Sequence, residues 1–293
     1  MAGSWRRSFG SRPSSTAEAD IRYRLDVVNR LVAAPVEEPQ FRQENLIAYY
    51  MTDRGVVAHF PRYGRLDLDL TMGKTEGRIV REALNTYGVL EDIIAIGLSP
   101  HLRRRNMFLI HAFAAAYEGR AALLVGGVGA GKTTTGMALL NAGWRLLSND
   151  SPILTGDGEV LSYPGVLAAY GETFGRFPAT AHLASQKPDK LGRAKITIEA
   201  EAIWPDVWLD SAPAGAIFFP QIESRKEHLV ERLSAPEALR RLLPHAVEQW
   251  DRVMIGRHLG VLRNLVEKTP AYLLRLGPDV LGIPGVVGEW VIG

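Results

Sequence analysis

The sequence predicts an α/β or α+β protein: a small N-terminal α/β module, then a larger domain carrying a phosphate-binding loop. Three observations point there. Strand-like and helix-like patterns intermingle along all 293 residues with no internal repeat. One glycine-rich loop, Gly126–Thr133, stands between a short apolar run and a helical pattern. The composition, 46% hydrophobic and 23% charged, is that of an ordinary globular chain long enough for one or two cores. The expected division is a disordered tail over 1–20, the module over 21–100 and the loop-bearing domain over 101–293.

Composition also excludes several function classes. The 34 basic and 32 acidic residues nearly cancel, which argues against a nucleic-acid binder working by bulk charge. With no cysteine there are no disulfides, thiolate metal sites or cysteine nucleophiles. The most apolar stretches, Met107–Tyr117 and Ala121–Ala130, fall short of the ~20 residues a bilayer requires, so no membrane association is expected. The first sixteen residues are basic and Ser-rich without an apolar segment, which reads as a tail and not a secretory signal. A cytoplasmic location is expected.

Along the chain, Ile21, Leu25, Val28 and Leu31–Val32 recur at helical spacing, predicting a helix over 17–32. Residues 45–70 alternate in short stretches, predicting two or three strands with turns at Asp53–Gly55 and Tyr63–Gly64. Thr75–Tyr87 reads as a helix stopped by Gly88, and 89–115 as a second helix interrupted by Gly97 and Pro100. The run Arg103–Arg105 reads as a solvated face. Ala121–Val125 reads as a buried strand, Lys132–Ala142 as a helix stopped by Gly143, and Trp144–Ser148 as the next strand. Further strands are expected at 160–163, 195–199, 214–219, 228–232 and 272–275. A capping box from Ser234 to Glu237, with Pro236 in the first turn, opens a helix through Leu243, and 246–266 reads as another helical segment.

The loop carries the chemistry. Gly126-Gly127-Val128-Gly129-Ala130-Gly131-Lys132-Thr133, followed by Thr134, satisfies G-x-x-x-x-G-K-[ST] in full. Glycines let successive N–H groups turn inward on phosphate oxygens where Cβ atoms would block the approach. The helix that follows adds its positive end. Lys132 supplies a point charge for the β- and γ-phosphates, and the Thr133 hydroxyl a ligand for Mg²⁺. The bland alternative is a glycine-rich turn with an incidental lysine. The loop predicts ATP as the cofactor.

A metal-holding acid is then required, usually at a strand's end. Asp150 closes the strand after the loop's helix; a strand–loop–helix–strand unit would set adjacent strand ends together and bring it beside the metal. Asp-Ser-Pro is also turn chemistry, so Asp150 has a purely structural reading too. Asp210 resembles a distant second acid of conventional P-loop ATPases, but Trp204-Pro-Asp upstream reads as an exposed turn.

The stretch from His111-Ala-Phe-Ala through the loop to Gly143-Trp-Arg-Leu-Leu-Ser-Asn149-Asp150 resembles the HPr serine kinase/phosphorylase family and its HPr-kinase-like relatives. The resemblance covers about 40 residues, with fainter similarity over 218–243 and 270–280; the first hundred residues have none. It implies a phosphoenolpyruvate-carboxykinase-like fold on a mixed β-sheet and ATP-dependent phosphorylation of a hydroxyl. It also implies that His111 lies near the Asn149–Asp150 pair. The first acid of the family's pair, the base acting on the acceptor hydroxyl, is Asn149 here. An amide can orient a hydroxyl but cannot take up its proton. Asp150 or His111 would then take the proton, or the protein binds nucleotide without transferring it.

His111 itself has two readings, an assistant in proton transfer or a half-buried histidine in an apolar segment. Lys187, Lys190, Arg193 and Lys195 form a polar stretch that is either a lid over the site or a solvated loop, with Lys195 the weak choice for a phosphate contact. The tryptophans, Trp144, Trp204 and Trp208 among them, read as core. The acceptor is left open between a protein serine, a peptide and a small hydroxylated molecule. The apolar end GIPGVVGEWVIG suggests packing on a partner or a second copy.

Overall fold

The computed structural model describes residues 21–86, 88–163, 165–185, 195–246 and 248–292. The tail expected over 1–20 and the residues Lys187, Lys190 and Arg193 lie outside the described residues. The chain divides into two compact units.

One unit holds the described residues from 21 to 106 together with Glu248–Ile255, a segment expected in the other domain. Its strands are β1 (Arg22–Val28), β2 (Phe41–Gln43), β3 (Ile47–Thr52), β4 (Gly55–Phe60), β5 (Gly64–Asp69) and β6 (Lys74–Val80). They form one sheet in the order β1-β6-β5-β4-β3-β2, antiparallel throughout except for β1, which lies parallel to β6. In place of the helix expected over 17–32 the chain forms β1 over Arg22–Val28, with Tyr23 and Leu25 packed on the core. The first part of the helix expected over 75–87, as far as Val80, is instead β6. There Thr75, Gly77 and Ile79 are buried while Lys74, Glu76 and Arg78 are exposed, so a period of two prevails. Only α1 (Arg81–Asn85) is helical.

After Gly88, α2 (Val89–Arg104) runs through Gly97 and Pro100 and ends before Asn106, whose φ of 60° is left-handed. The helix expected to reach 115 therefore stops, and the chain turns into β-structure. Arg103 and Arg104 are not a solvated face. Arg103 is 2% exposed and binds Asp251 and Glu248, and Arg104 also binds Asp251.

The other unit begins with β7 (Met107–Leu109), β8 (Ala112–Tyr117) and β9 (Arg120–Val125). Glu118 and Gly119 both have positive φ, the backbone of a tight type I′ hairpin, so β8 and β9 pair antiparallel. α3 (Lys132–Asn141), β10 (Arg145–Ser148), β11 (Ile153–Thr155), β12 (Glu159–Leu161), β13 (Leu167–Tyr170) and α4 (Gly171–Phe174) follow. Then come β14 (Lys195–Ile198), β15 (Ser211–Ile222), β16 (Leu229–Leu233), α5 (Ala235–Leu242), α6 (Arg252–Lys268), β17 (Ala271–Leu276) and α7 (Ile283–Ile292). Ser234 Oγ accepts from Glu237 N at the start of α5, the cap that the sequence predicts.

The main sheet is mixed. β15 is its long central strand: its first residues pair antiparallel with β12, continuing to β11 and β7. Its later residues lie parallel to β9 on one side and β17 on the other. Beyond β9 comes β8 and then β10, antiparallel to β8. The strand beside β9 is therefore β8 and not β10, which corrects the expected strand–loop–helix–strand adjacency: the hairpin claims the neighbouring position. α3 and α7 cover the sheet with Met137, Val287 and Val291 in a core that includes Phe113, Leu124 and Leu274. The apolar C-terminal stretch thus packs on its own sheet. Trp144 stacks on Tyr117 within that core, at 5.1 Å between ring centres. No helix among the described residues is long and apolar enough to cross a membrane.

Candidate nucleotide site

Strand direction decides what meets at the loop's edge of the sheet. β9 ends at Val125 and the glycine-rich loop begins there. β10 runs parallel to β9 with β8 between, so its end reaches the same edge, about 10 Å away at two strand spacings. β8 runs the other way and starts there, which sets His111 beside Asp150 through the bond from Ala112 N to Asp150 O at 3.0 Å. β15 and β17 also end at this edge. Asp210, by contrast, immediately precedes β15 and lies at the opposite end of the sheet. That position removes it as a partner of the loop.

The loop turns through left-handed conformations at Gly129 (φ 81°) and Gly131 (φ 101°). A Cβ on Gly131 would come within 2.9 Å of Leu276 Cδ1, so the strand beneath and the backbone torsion both demand glycine. Val128 stands 98% exposed at the tip, with Gly127 and Gly129 also open to solvent. Lys132, Thr133 and Thr134 form the first turn of α3, where N–H groups have no helical acceptor. Lys132 is buried, and its ammonium donates to the carbonyls of Gly126 and Gly127. Burial lowers its pKa; the Asp150 carboxylate opposes this and Lys195 adds to it. Lys195 also lies over the Tyr170 ring at 5.4 Å.

Asp150 is not consumed by the turn it sits in. Ser148 Oγ accepts from Asp150 N at 3.4 Å and from Ser151 N at 3.0 Å, so the serine hydroxyl ties the turn. The Asp150 carboxylate meets His111 instead, Oδ1 to Nδ1 at 3.2 Å. Asn149 donates from Nδ2 to Val166 O at 3.0 Å. His245, which sequence reading passed over, joins this group. Its carbonyl accepts from His111 N at 2.8 Å and its ring lies 6.2 Å from that of His111. Burial lowers the His245 pKa, with the charges of His111 and Lys132 acting in the same sense. No local pattern marks His245 in Leu-Pro-His-Ala; only the long-range backbone bond brings it here.

The chemistry of this donor set fits Mg·ATP. Magnesium usually takes one or two protein oxygens and completes its shell with water and phosphate. Asp150 Oδ2 and the Thr133 hydroxyl are oxygens of the kind that could serve, on one sheet edge. Among the described residues no three His, Asp or Glu side chains converge as a self-sufficient metal cage.

No protein-family model matches the chain, and no curated protein sequence does. Among solved structures it is similar to the HPr(Ser) kinase/phosphatase from Coxiella burnetii, at 13% identity, covering 63% of this chain and 88% of that one, with a TM-score of 0.34. At that distance the likeness assigns no role to any residue.

Proposed function

We propose that the protein is a phosphotransferase that passes the γ-phosphate of Mg·ATP to a hydroxyl group. The observation that carries the reading is the meeting, on one sheet edge, of the Lys132 loop with the His111–Asp150 pair. The backbone of Gly126–Gly131 with Lys132, Thr133 and Thr134 binds the phosphates, and Thr133 with Asp150 holds Mg²⁺, which neutralises phosphate charge when bound. Asp150 Oδ1 accepts from His111 Nδ1, a tautomer assigned from the bonding, and this leaves His111 Nε2 to take a proton. The acceptor's O–H gives its proton to Nε2 as its oxygen bonds to the γ-phosphorus. The bond from that phosphorus to the bridging oxygen breaks, and ADP leaves. Before transfer, Asn149, its amide nitrogen committed to Val166, accepts the acceptor hydroxyl's hydrogen at Oδ1 and so orients the group; that hydrogen then turns to His111 Nε2.

The reading is tested by calorimetry: Mg·ATP binds the wild-type protein, and Lys132→Ala binds at least about 30-fold more weakly, the 2 kcal/mol or more that accompanies loss of a charged partner. Absence of binding to wild type at millimolar ATP would end it. A second reading, a nucleotide-responsive regulator without transfer, is favoured by Asn149 standing where the resembling family has its base. Phosphate release to water, the surrogate acceptor, separates the two. A transferase releases phosphate slowly and His111→Ala slows it further; a pure regulator releases none.

A further inference from the structure

A cavity of roughly 630 Å³ opens on the other flank of the loop, within the size range of small-ligand sites. Where β8 and β10 bring His111 and Asp150 to one side, β15 and β17 end on the opposite side, and the chain that follows them forms the cavity. We propose that this cavity receives the nucleoside of the bound nucleotide. The nucleotide then lies across the sheet edge, γ-phosphate towards β8 and β10, sugar and base over the ends of β15 and β17. The inference rests on the nucleotide reading above and adds the ligand's direction and second subsite.

Four features support it. The cavity is continuous with the loop, because Gly131, Thr134 and Thr135 line it. Ile222, Leu276, Val280 and Ile283 give it apolar walls suited to the faces of a base. Its charges nearly cancel: Arg176, Arg225 and Lys226 stand against Glu172 and Glu223. Glu223 is engaged by Arg225 at 3.6 Å and also by Arg275. Such a lining does not suit a second polyphosphate or an anionic acceptor. Finally, two lining residues hold buried polar atoms with no hydrogen-bond partner, Thr135 Oγ1 and Arg225 Nε. Buried polar groups are ordinarily satisfied, and the hydroxyls and ring nitrogens of a nucleoside would satisfy these. The floor is also held together, with Gly277 N donating to His228 Nδ1 at 3.0 Å across the two loops.

The test compares Mg·ATP with Mg·tripolyphosphate, which has the phosphates but no nucleoside, by calorimetry on the full chain. Val280→Trp narrows the cavity away from the loop, and Ser224→Trp, at an exposed rim position, does the same if the first variant fails to fold. The expected result is that wild type prefers ATP to tripolyphosphate and that the substitution weakens ATP by about tenfold or more. Tripolyphosphate binding should be unchanged. Equal affinities for ATP and tripolyphosphate in wild type would overturn the subsite while leaving the loop's role intact. So would a tryptophan variant that binds ATP normally, or one that weakens both ligands alike. Wild type that binds neither ligand would remove the nucleotide reading itself, and the subsite with it.

Discussion

Two polar clusters, one in each unit, are built to opposite standards. Arg103 and Asp251 are 2% and 1% exposed. Arg103 reaches Asp251 at 2.9 Å, Glu248 at 2.6 Å and Ser99 at 2.9 Å, and its guanidinium lies 4.9 Å from the centre of the Trp250 ring. Burial pushes the Glu248 carboxyl up, but the Arg103 charge and hydrogen bonds from Arg103, Ser99 and Trp250 outweigh it and hold the pKa below its ordinary value. The His111 and Asp150 side chains are 41% and 58% exposed and meet through one 3.2 Å contact. A charge that holds a fold together is buried and multiply bonded, because removing its partner would strand it in a poor solvent. On the function proposed above, a group kept for a ligand stays accessible, with hydrogen-bonding capacity to spare.

Substitutions can break that contrast. Asp150→Asn should cost the largest effect, about 10²–10⁴-fold in phosphate release, with unfolding free energy within about 0.5 kcal/mol of wild type. Equal activity in the variant would return Asp150 to the status of a turn residue. Asp251→Ala should do the reverse, losing about 3–5 kcal/mol in urea unfolding while the folded fraction binds Mg·ATP as before. A loss below about 1 kcal/mol would show that the buried cluster is not structural in the sense argued.

The pH responses should differ in direction as well. His101 is buried, bonded through Nε2 to Thr75 Oγ1, and burial with the nearby Arg105 and Arg104 charges lowers its pKa from 6.5 to about 4. Between those values the unfolded chain takes up a proton that the folded chain refuses. Stability should therefore be complete above pH 6.5 and decline as pH falls towards 4. His101→Gln should flatten that part of a urea-midpoint profile, and an unchanged slope would exclude His101 as its source. The smallest effect belongs to Lys132. With its pKa lowered by burial, Mg·ATP affinity should weaken on the alkaline side before pH 10.5, a trend that constant affinity up to that pH would contradict.

Local signals read well where a residue's conformation is set by its neighbours. The turns at Asp53–Gly55 and Tyr63–Gly64, the cap at Ser234 and the helix between Gly131 and Gly143 all follow from residue type and spacing. Reading failed where tertiary burial chose between two periods. In 74–80 the buried Thr75, Gly77 and Ile79 alternate with exposed residues, although the stretch from Thr75 to Tyr87 reads as a helix. Arg103 and Arg104 depart from the expected solvated face for a related reason, since adjacent charges read as solvated unless acids from distant sequence close over them; Arg105 is exposed as expected. His245 carried no local mark at all.

By itself the sequence determined the glycine-rich turn, the lysine and threonines that follow it, the Asn149–Asp150 strand end and the mixture of strands and helices. Those depend on backbone torsions and side-chain chemistry within a few residues. Tertiary structure alone decided that β8 separates β9 from β10, that Asp210 falls at the far end of the sheet and that His245 joins His111 beside Asp150. Strand order is set by which apolar faces can be buried together across long stretches of chain, and no window of neighbouring residues contains that information.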